Sequence, residues 1–304
     1  MRDLTKYHGI FPAFYACYDD EGAISPERTK ALARHLISAG VKGLYVGGSS
    51  GECIYQSVEE RKLVLESVMS EAKGMVTVIA HVACNNTRDS MELAQHAERS
   101  GVDAIASIPP IYFKLPDHAI ARYWNDIAAA APNTDFIIYN IPQLAGVALS
   151  IPLLREMRKN PYVVGVKNSS VPTQDIQMWR DDSGEDFVVF NGPDEQLLSG
   201  LAAGAHGGIG GTYAVMPALY IKIHQLYLAG KMEEAREVQN EACRIIYAMC
   251  AAHGNLYAVM KAILKKNRLD VGGVRAPLTN LSKADMAIVD ACDTQIKAAV
   301  KACC

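Results

Sequence analysis

The chain has 304 residues, with 30 Lys and Arg against 33 Asp and Glu and a formal net charge of −3. A balance this even, without a basic run, excludes the electrostatic footprint of a nucleic-acid binder and leaves a small molecule as the expected partner. Met1 to His8 is mixed polar and no apolar stretch approaches the roughly 18 residues that a membrane span needs, so the expectation is a soluble, cytoplasmic protein that does not enter a membrane.

In chain order, short apolar runs read as strands at Gly9 to Ala16, Gly43 to Val46, Val76 to Val82, Ala104 to Ile108, Phe136 to Asn140, Val163 to Lys167, Phe187 to Asn191 and Gly207 to Gly210. Between them lie amphipathic stretches such as Ser57 to Lys73 and Thr87 to Ser100, each opened by a capping Ser or Thr with acidic residues in the first turn. Gly101 stands where a helix commonly ends in a left-handed residue. Strands and helices alternating in this way predict an α/β fold, a (β/α)₈ TIM barrel, with a doubly wound sheet as the alternative. From about Pro217 the pattern is helical alone, interrupted at Val271-Gly272-Gly273 and Ala276-Pro277. A barrel needs one helix after its last strand. The surplus predicts a C-terminal helical appendage over 231–304, folded as one unit with a barrel over 1–230.

The eight cysteines, at 17, 53, 84, 243, 250, 292, 303 and 304, contain no Cys-x-x-Cys pair and read as free or buried thiols. Cys303-Cys304 suits metal binding or cross-linking on paper, but an adjacent terminal pair is more often inert. The eight histidines form no His-x-x-x-His or His-Glu-x-x-His cluster. No metal and no other cofactor is expected, which disfavours a zinc-dependent aldolase.

The loops after barrel strands build the active site, so residues at strand ends are the ones to collect. Lys167 closes the run Tyr162-Val163-Val164-Gly165-Val166, and Tyr139 is placed the same way one unit earlier in Ile137-Ile138-Tyr139-Asn140. Burial disfavours an ammonium, and the free amine is the form that attacks a ketone, so this pair reads as a Schiff-base lysine beside a proton carrier. The competing reading is a strand-end lysine reaching for water. After the second strand, Gly47-Gly48-Ser49-Ser50-Gly51-Glu52 offers close backbone approach and adjacent N–H groups, a cradle for a carboxylate or merely a structural turn. Neither Gly-Lys-Ser/Thr nor Gly-x-Gly-x-x-Gly is present, so a nucleotide is not expected. Asn191-Gly192-Pro193-Asp194-Glu195 puts two carboxylates at the same rim, to accept from a polyol and repel phosphate, or to begin a helix. Tyr112 and Phe113 form an aromatic cluster of the kind found in lids and subunit contacts.

Taken together, these segments resemble the dihydrodipicolinate synthase and N-acetylneuraminate lyase family, Schiff-base enzymes acting on 2-keto acids. The resemblance spans essentially the whole chain and rests on Gly48 to Glu52, Tyr139-Asn140-Ile141-Pro142 and Gly165-Val166-Lys167 in family order. Similarity to the sialic acid lyase branch appears in Gly43 to Ser49, Ile79-Ala80-His81-Val82, Tyr139 to Val147 and Asn191 to Glu195. The resemblance implies that Lys167 forms the imine, that Tyr139 moves the proton, and that Ser49 and Ser50 hold the carboxylate, with Ser50 as a relay. It further implies a homotetramer in which Tyr112 reaches a neighbouring subunit's site, and a sugar tail held by Asp194, Glu195 and the backbone of Gly192, with Ser169 and Gly211 lining the pocket. Departures are informative. Leu144 stands where dihydrodipicolinate synthases carry arginine, which disfavours aspartate semialdehyde as co-substrate. Ser50 and Ser169 replace threonines and keep the hydroxyl, whereas Pro193 replaces a common aromatic and Gly211 a common serine. The implied activity is cleavage of sialic acid to pyruvate and N-acetylmannosamine. The alternatives are a related aldolase on another sugar-derived 2-keto acid and a non-catalytic barrel that binds a sugar acid, the last made less apt by a nucleophilic amine beside a tyrosine.

Overall fold

The computed structural model describes residues 3–304; Met1 and Arg2 of the polar N-terminal stretch lie outside them. Eight strands, β1 Gly9–Pro12, β2 Gly43–Val46, β3 Thr77–His81, β4 Ala104–Ser107, β5 Asp135–Asn140, β6 Val163–Asn168, β7 Val188–Asn191 and β8 Gly207–Gly210, form one parallel sheet in the order β1-β8-β7-β6-β5-β4-β3-β2. The ring closes between β1 and β2 through the Ala13↔Tyr45 bridge, Lys42 N donating to Ile10 O and Phe14 N donating to Tyr45 O. This is the (β/α)₈ barrel, and the doubly wound alternative is set aside by that closure.

The first strand is shorter than the run Gly9 to Ala16 suggests. After Ala13 the chain leaves the ladder, yet residues 14–17 remain buried because they run beneath the C-terminal helices: Tyr15 Oη donates to Gly211 O at 2.6 Å and contacts Met260 Sδ at 3.1 Å. An apolar run here marks burial between layers rather than a strand.

The helices are α1 Pro26–Ser38, α2 Val58–Ala72, α3 Thr87–Ser100, α4 Asp117–Ala130, α5 Pro142–Ala145, α6 Ile151–Met157, α7 Gln174–Ser183, α8 Leu197–Ala202, α9 Pro217–Leu228, α10 Met232–Met249, α11 Leu256–Lys266 and α12 Met286–Cys303. Ser57 caps α2 in a full capping box with Glu60, worth about 1 kcal/mol. At α3 the cap is Asn86, not Thr87: Asn86 holds the extended backbone and its Oδ1 accepts from Asp89 N at 2.8 Å, while Thr87 is already helical. Gly101 ends that helix at φ 84° with its N–H on Ala97 O. Two cores result. Inside the barrel Phe11, Tyr45, Ile79, Ile137, Val188, Phe190 and Ile209 fill the axis. A larger shell between strands and helices continues beneath α10, α11 and α12, which pack on α9 and on one another.

Candidate active site

Strand register sets the site. Tyr139 pairs with Lys167 and Lys167 with Phe190, while one residue later Asn140 pairs with Asn168 and Asn168 with Asn191. Successive side chains of a strand point to opposite faces, so Tyr139, Lys167 and Phe190 turn to the axis and the three asparagines to the helical layer. The asparagines brace the strand ends: Asn140 Nδ2 donates to Asn168 Oδ1 at 2.8 Å, Asn140 Oδ1 accepts from Leu149 N at 2.9 Å, and Asn191 Nδ2 donates to Pro193 O at 2.7 Å. Lys167 is only 4% exposed. Its Nζ lies 4.0 Å from the Tyr139 ring centroid and 4.4 Å from that of Tyr45, and has no hydrogen bond or ion pair among the described residues. The lysine therefore does not reach for water. It is a buried primary amine held by two aromatic faces.

Tyr45 and His81 complete this wall. Their rings stand edge-on to Tyr139, with centroids at 5.8 and 5.9 Å. Burial pushes the Tyr45 phenol far up and holds His81 down at about 3, with the Arg61 and Lys167 charges adding to the effect on the imidazole. A neutral His81 whose Nδ1 lies 2.9 Å from Gly47 O must carry its proton there, which leaves Nε2 as a bare acceptor. Both His81 Nε2 and Tyr45 Oη are buried without a hydrogen-bond partner among the described residues, the condition that points to a functional cavity. Sequence reading gave neither a role. Parity offers a signal for both: Tyr45 and His81 are polar groups at or beside the end of an apolar strand.

The loop after β2 turns at Gly47, φ 76°, and passes through a short helical turn at Ser49–Gly51, whose leading N–H groups at Ser49 and Ser50 have no preceding carbonyl of that turn to bond. Glu52 ends the turn in a left-handed conformation, φ 53°. Two strands of chain from the C-terminal region hold it there: Lys261 Nζ donates to Glu52 Oε1 at 2.7 Å and to Gly273 O at 2.6 Å, and Arg275 N donates to Glu52 Oε2 at 2.9 Å. Ser50 is buried, and its Oγ donates to Tyr257 Oη of α11 at 3.3 Å.

At the opposite rim Ser169 and Gly192 are brought together, since a Cβ on Gly192 would fall 2.1 Å from Ser169 Oγ. Asp194 is buried and does not cap α8. Its Oδ2 accepts from both Thr212 N and Thr212 Oγ1 at 2.6 Å, and its Oδ1 lies against Gly210, where a Cβ would come within 2.0 Å. Burial raises this carboxyl to about 6, against the pull of the Thr212 hydrogen bonds and the more distant Lys167 charge. Glu195 is exposed, and Gly211 is half-buried with Ser50 Oγ 3.1 Å from where its side chain would begin. Tyr112 stands apart. Its ring is 90% exposed, packs edge-on against Phe113 at 5.0 Å, and sits on a backbone with φ 89°. Leu144 is likewise exposed on α5.

Three open clefts, of about 610, 830 and 710 Å³, lie elsewhere, one at the N-terminal ends of the strands, one beside α11 and one beside Tyr112 and Phe113; none is lined by Lys167, Tyr139 or Ser50. Chemistry, not volume, singles out the mouth. Among the described residues no group of three or more His, Cys, Asp or Glu could hold a metal ion, and no helix is long and apolar enough to cross a membrane.

A model described as the dihydrodipicolinate synthetase family matches residues 6–296. Over 290 residues the chain is 65% identical to an N-acetylneuraminate lyase of Mediterraneibacter gnavus, covering 95% of this chain and 92% of that one. It is 34% identical to an N-acetylneuraminate lyase of Rhizobium meliloti, covering 93% of each. A solved structure of a catalytic lysine mutant of the Ruminococcus gnavus sialic acid aldolase superposes with a TM-score of 0.99 at 62% identity, covering 100% of both chains.

Proposed function

This chain belongs to the dihydrodipicolinate synthetase family, and we propose on that footing that it is a Schiff-base-forming N-acetylneuraminate lyase, cleaving sialic acid to pyruvate and N-acetylmannosamine. The observation that carries the reading is Lys167: a primary amine, buried and unbonded, at the end of β6 against the face of Tyr139. The R. gnavus aldolase has a lysine described as catalytic. Lys167 is our candidate for that role here.

In this reading the Lys167 amine adds to the keto carbon of the open-chain substrate, and the carbinolamine hydroxyl leaves as water with a proton from the Tyr139 phenol, which gives an iminium and a Tyr139 phenolate. Tyr139 then takes the proton from the hydroxyl on the far side of the breaking carbon–carbon bond. That carbon leaves as the aldehyde of N-acetylmannosamine, and the electron pair of the broken bond flows into the iminium as an enamine. The enamine carbon takes a proton back from Tyr139, and water hydrolyses the pyruvate iminium, freeing the amine and returning the proton to the Tyr139 phenolate. No external base, metal or redox partner enters this balance. Ser49 and Ser50 are assigned to the substrate carboxylate, and Ser169, Gly192, Asp194, Glu195 and Gly211 to the hydroxylated tail. The Thr212 bonds occupy one oxygen of Asp194 and leave the other to accept from a sugar hydroxyl.

We assign Tyr112 to the site of a neighbouring subunit in a homotetramer. An aromatic pair this exposed, one member on a strained backbone, fits a surface that assembly covers. Light scattering that finds an active monomer contradicts this assignment. The eight cysteines are all free thiols, which suits a reducing cytoplasm, and cell fractionation checks that placement. The substrate reading is tested by pyruvate release across sialic acid, unphosphorylated and phosphorylated 2-keto-3-deoxy sugar acids, and the aspartate semialdehyde condensation. The expected order puts sialic acid first and aspartate semialdehyde last. A clear preference for a short sugar acid moves the chain to the related-aldolase reading.

A further inference from the structure

One tyrosine of the C-terminal helices stands among the barrel's own site residues. Asn255 caps α11 by accepting from Tyr257 N at 2.9 Å, so the first turn of the helix delivers the Tyr257 phenol to the loop after β2. There Ser50 Oγ donates to Tyr257 Oη at 3.3 Å. Both groups flank Gly211: a side chain begun at that residue would lie 3.1 Å from Ser50 Oγ and 3.7 Å from Tyr257 Cε1. Tyr15 steadies the same corner, its hydroxyl on Gly211 O at 2.6 Å and its ring centroid 6.2 Å from that of Tyr257.

Neighbouring glycines link Tyr257 to the acidic rim: a side chain begun at Gly210 would meet Asp194 Oδ1 at 2.0 Å, and one begun at Gly211 would meet Tyr257 Cε1 at 3.7 Å. Burial pushes the phenol up to about 12, so it keeps its proton at neutral pH. With Ser50 donating to its oxygen, that proton has no acceptor among the described residues. A sugar hydroxyl is donor and acceptor at once. It accepts from Tyr257 while donating to a carboxylate such as Asp194, a complement that the acidic rim alone cannot supply.

We propose that Tyr257 is a further substrate-contacting, specificity-determining residue, its hydroxyl donating to a hydroxyl of the sugar chain beyond the cleaved bond, beside a Gly211 that offers no side chain. This rests on the lyase reading above and adds a site residue that the barrel does not itself encode. Tyr257→Phe keeps the ring and removes the hydroxyl, both the donor and the acceptor of the Ser50 bond. It lowers kcat/KM for N-acetylneuraminate about tenfold, mostly through KM, as loss of one hydrogen bond to substrate should. Borohydride trapping of pyruvate on Lys167 falls by much less than kcat/KM for N-acetylneuraminate, because pyruvate has no tail and the variant touches its carboxylate only through Ser50. Gly211→Ser in the Tyr257→Phe background restores part of the loss by presenting a hydroxyl from the facing side. Unchanged kinetics in Tyr257→Phe overturn the proposal, and so does an equal loss in pyruvate trapping, which would assign the phenol to the carboxylate end through Ser50. Failure of the underlying reading shows itself elsewhere, in wild-type enzyme that traps pyruvate and cleaves no N-acetylneuraminate.

Discussion

Lys167 and Lys261 are both almost wholly buried, yet the mouth of the barrel and its joint with the C-terminal helices treat them in opposite ways. At the joint, Lys261 is 1% exposed, ion-paired to a fully buried Glu52 and bonded to Gly273 O, and Glu52 spends its second oxygen on Arg275 N. Burial pulls the Lys261 ammonium below its ordinary value while Glu52 pulls it back up. At the mouth, Lys167 has only ring faces among the described residues, and Tyr45 Oη and His81 Nε2 beside it have no hydrogen-bond partner there either. Paired burial makes structure, because removing one partner strands the other. Unpaired burial suits a reagent, because no neighbouring carboxylate holds Lys167 Nζ away from an incoming substrate.

The contrast is open to breakage from either side. The largest effect belongs to Lys167→Ala, which should abolish turnover and leave circular dichroism unchanged, since no partner is stranded; an unfolded variant would make Lys167 structural after all. Tyr139→Phe retains the ring over Nζ and should lower kcat by at least about a hundredfold with a smaller change in KM, the loss expected of a proton carrier. Near wild-type kcat would remove the hydroxyl from the chemistry. Lys261→Met is the mirror experiment. It leaves the Glu52 carboxylate buried and uncompensated and should destabilise the fold by about 3–5 kcal/mol in urea unfolding, whereas stability equal to wild type would dissolve the contrast.

A gentler test uses pH at the acidic rim. Asp194 titrates near 6, above its ordinary value, so as pH falls through about 6 the carboxyl protonates and loses acceptor capacity. KM for the sugar acid should rise over that interval, and Asp194→Asn should flatten the dependence. The stability contribution has the opposite sign: a carboxyl raised by burial favours the folded state most below its unfolded value, and that contribution is lost as pH rises to the folded one. A KM independent of pH between 5 and 7 would take Asp194 out of substrate binding, on the ~6 midpoint expected here.

What the sequence made legible follows the range of its signals. Strand ends are local, so eight alternating units exposed the barrel, and Tyr139 and Lys167 came to light as like-placed residues that register makes neighbours. Local patterns misled where burial had another cause, as in Phe14 to Ala16, and where an asparagine did the capping beside a plausible threonine. Long-range pairs left no local trace. Ser50 and Tyr257 are 207 residues apart and Glu52 and Lys261 209, and Tyr257 occupies an ordinary amphipathic turn. Tyr45 and His81 lay inside segments already quoted for their resemblance, but their missing partners are a property of packing, which no motif records.

The central claim is that Lys167 is the nucleophile, and covalent trapping tests it most directly. Wild-type protein incubated with pyruvate and borohydride should gain the mass of one reduced pyruvate adduct per chain, confined to the peptide containing Lys167, and Lys167→Ala should gain none. An adduct on Lys261 or any other lysine, or no adduct under conditions where pyruvate is released from sialic acid, would contradict the account.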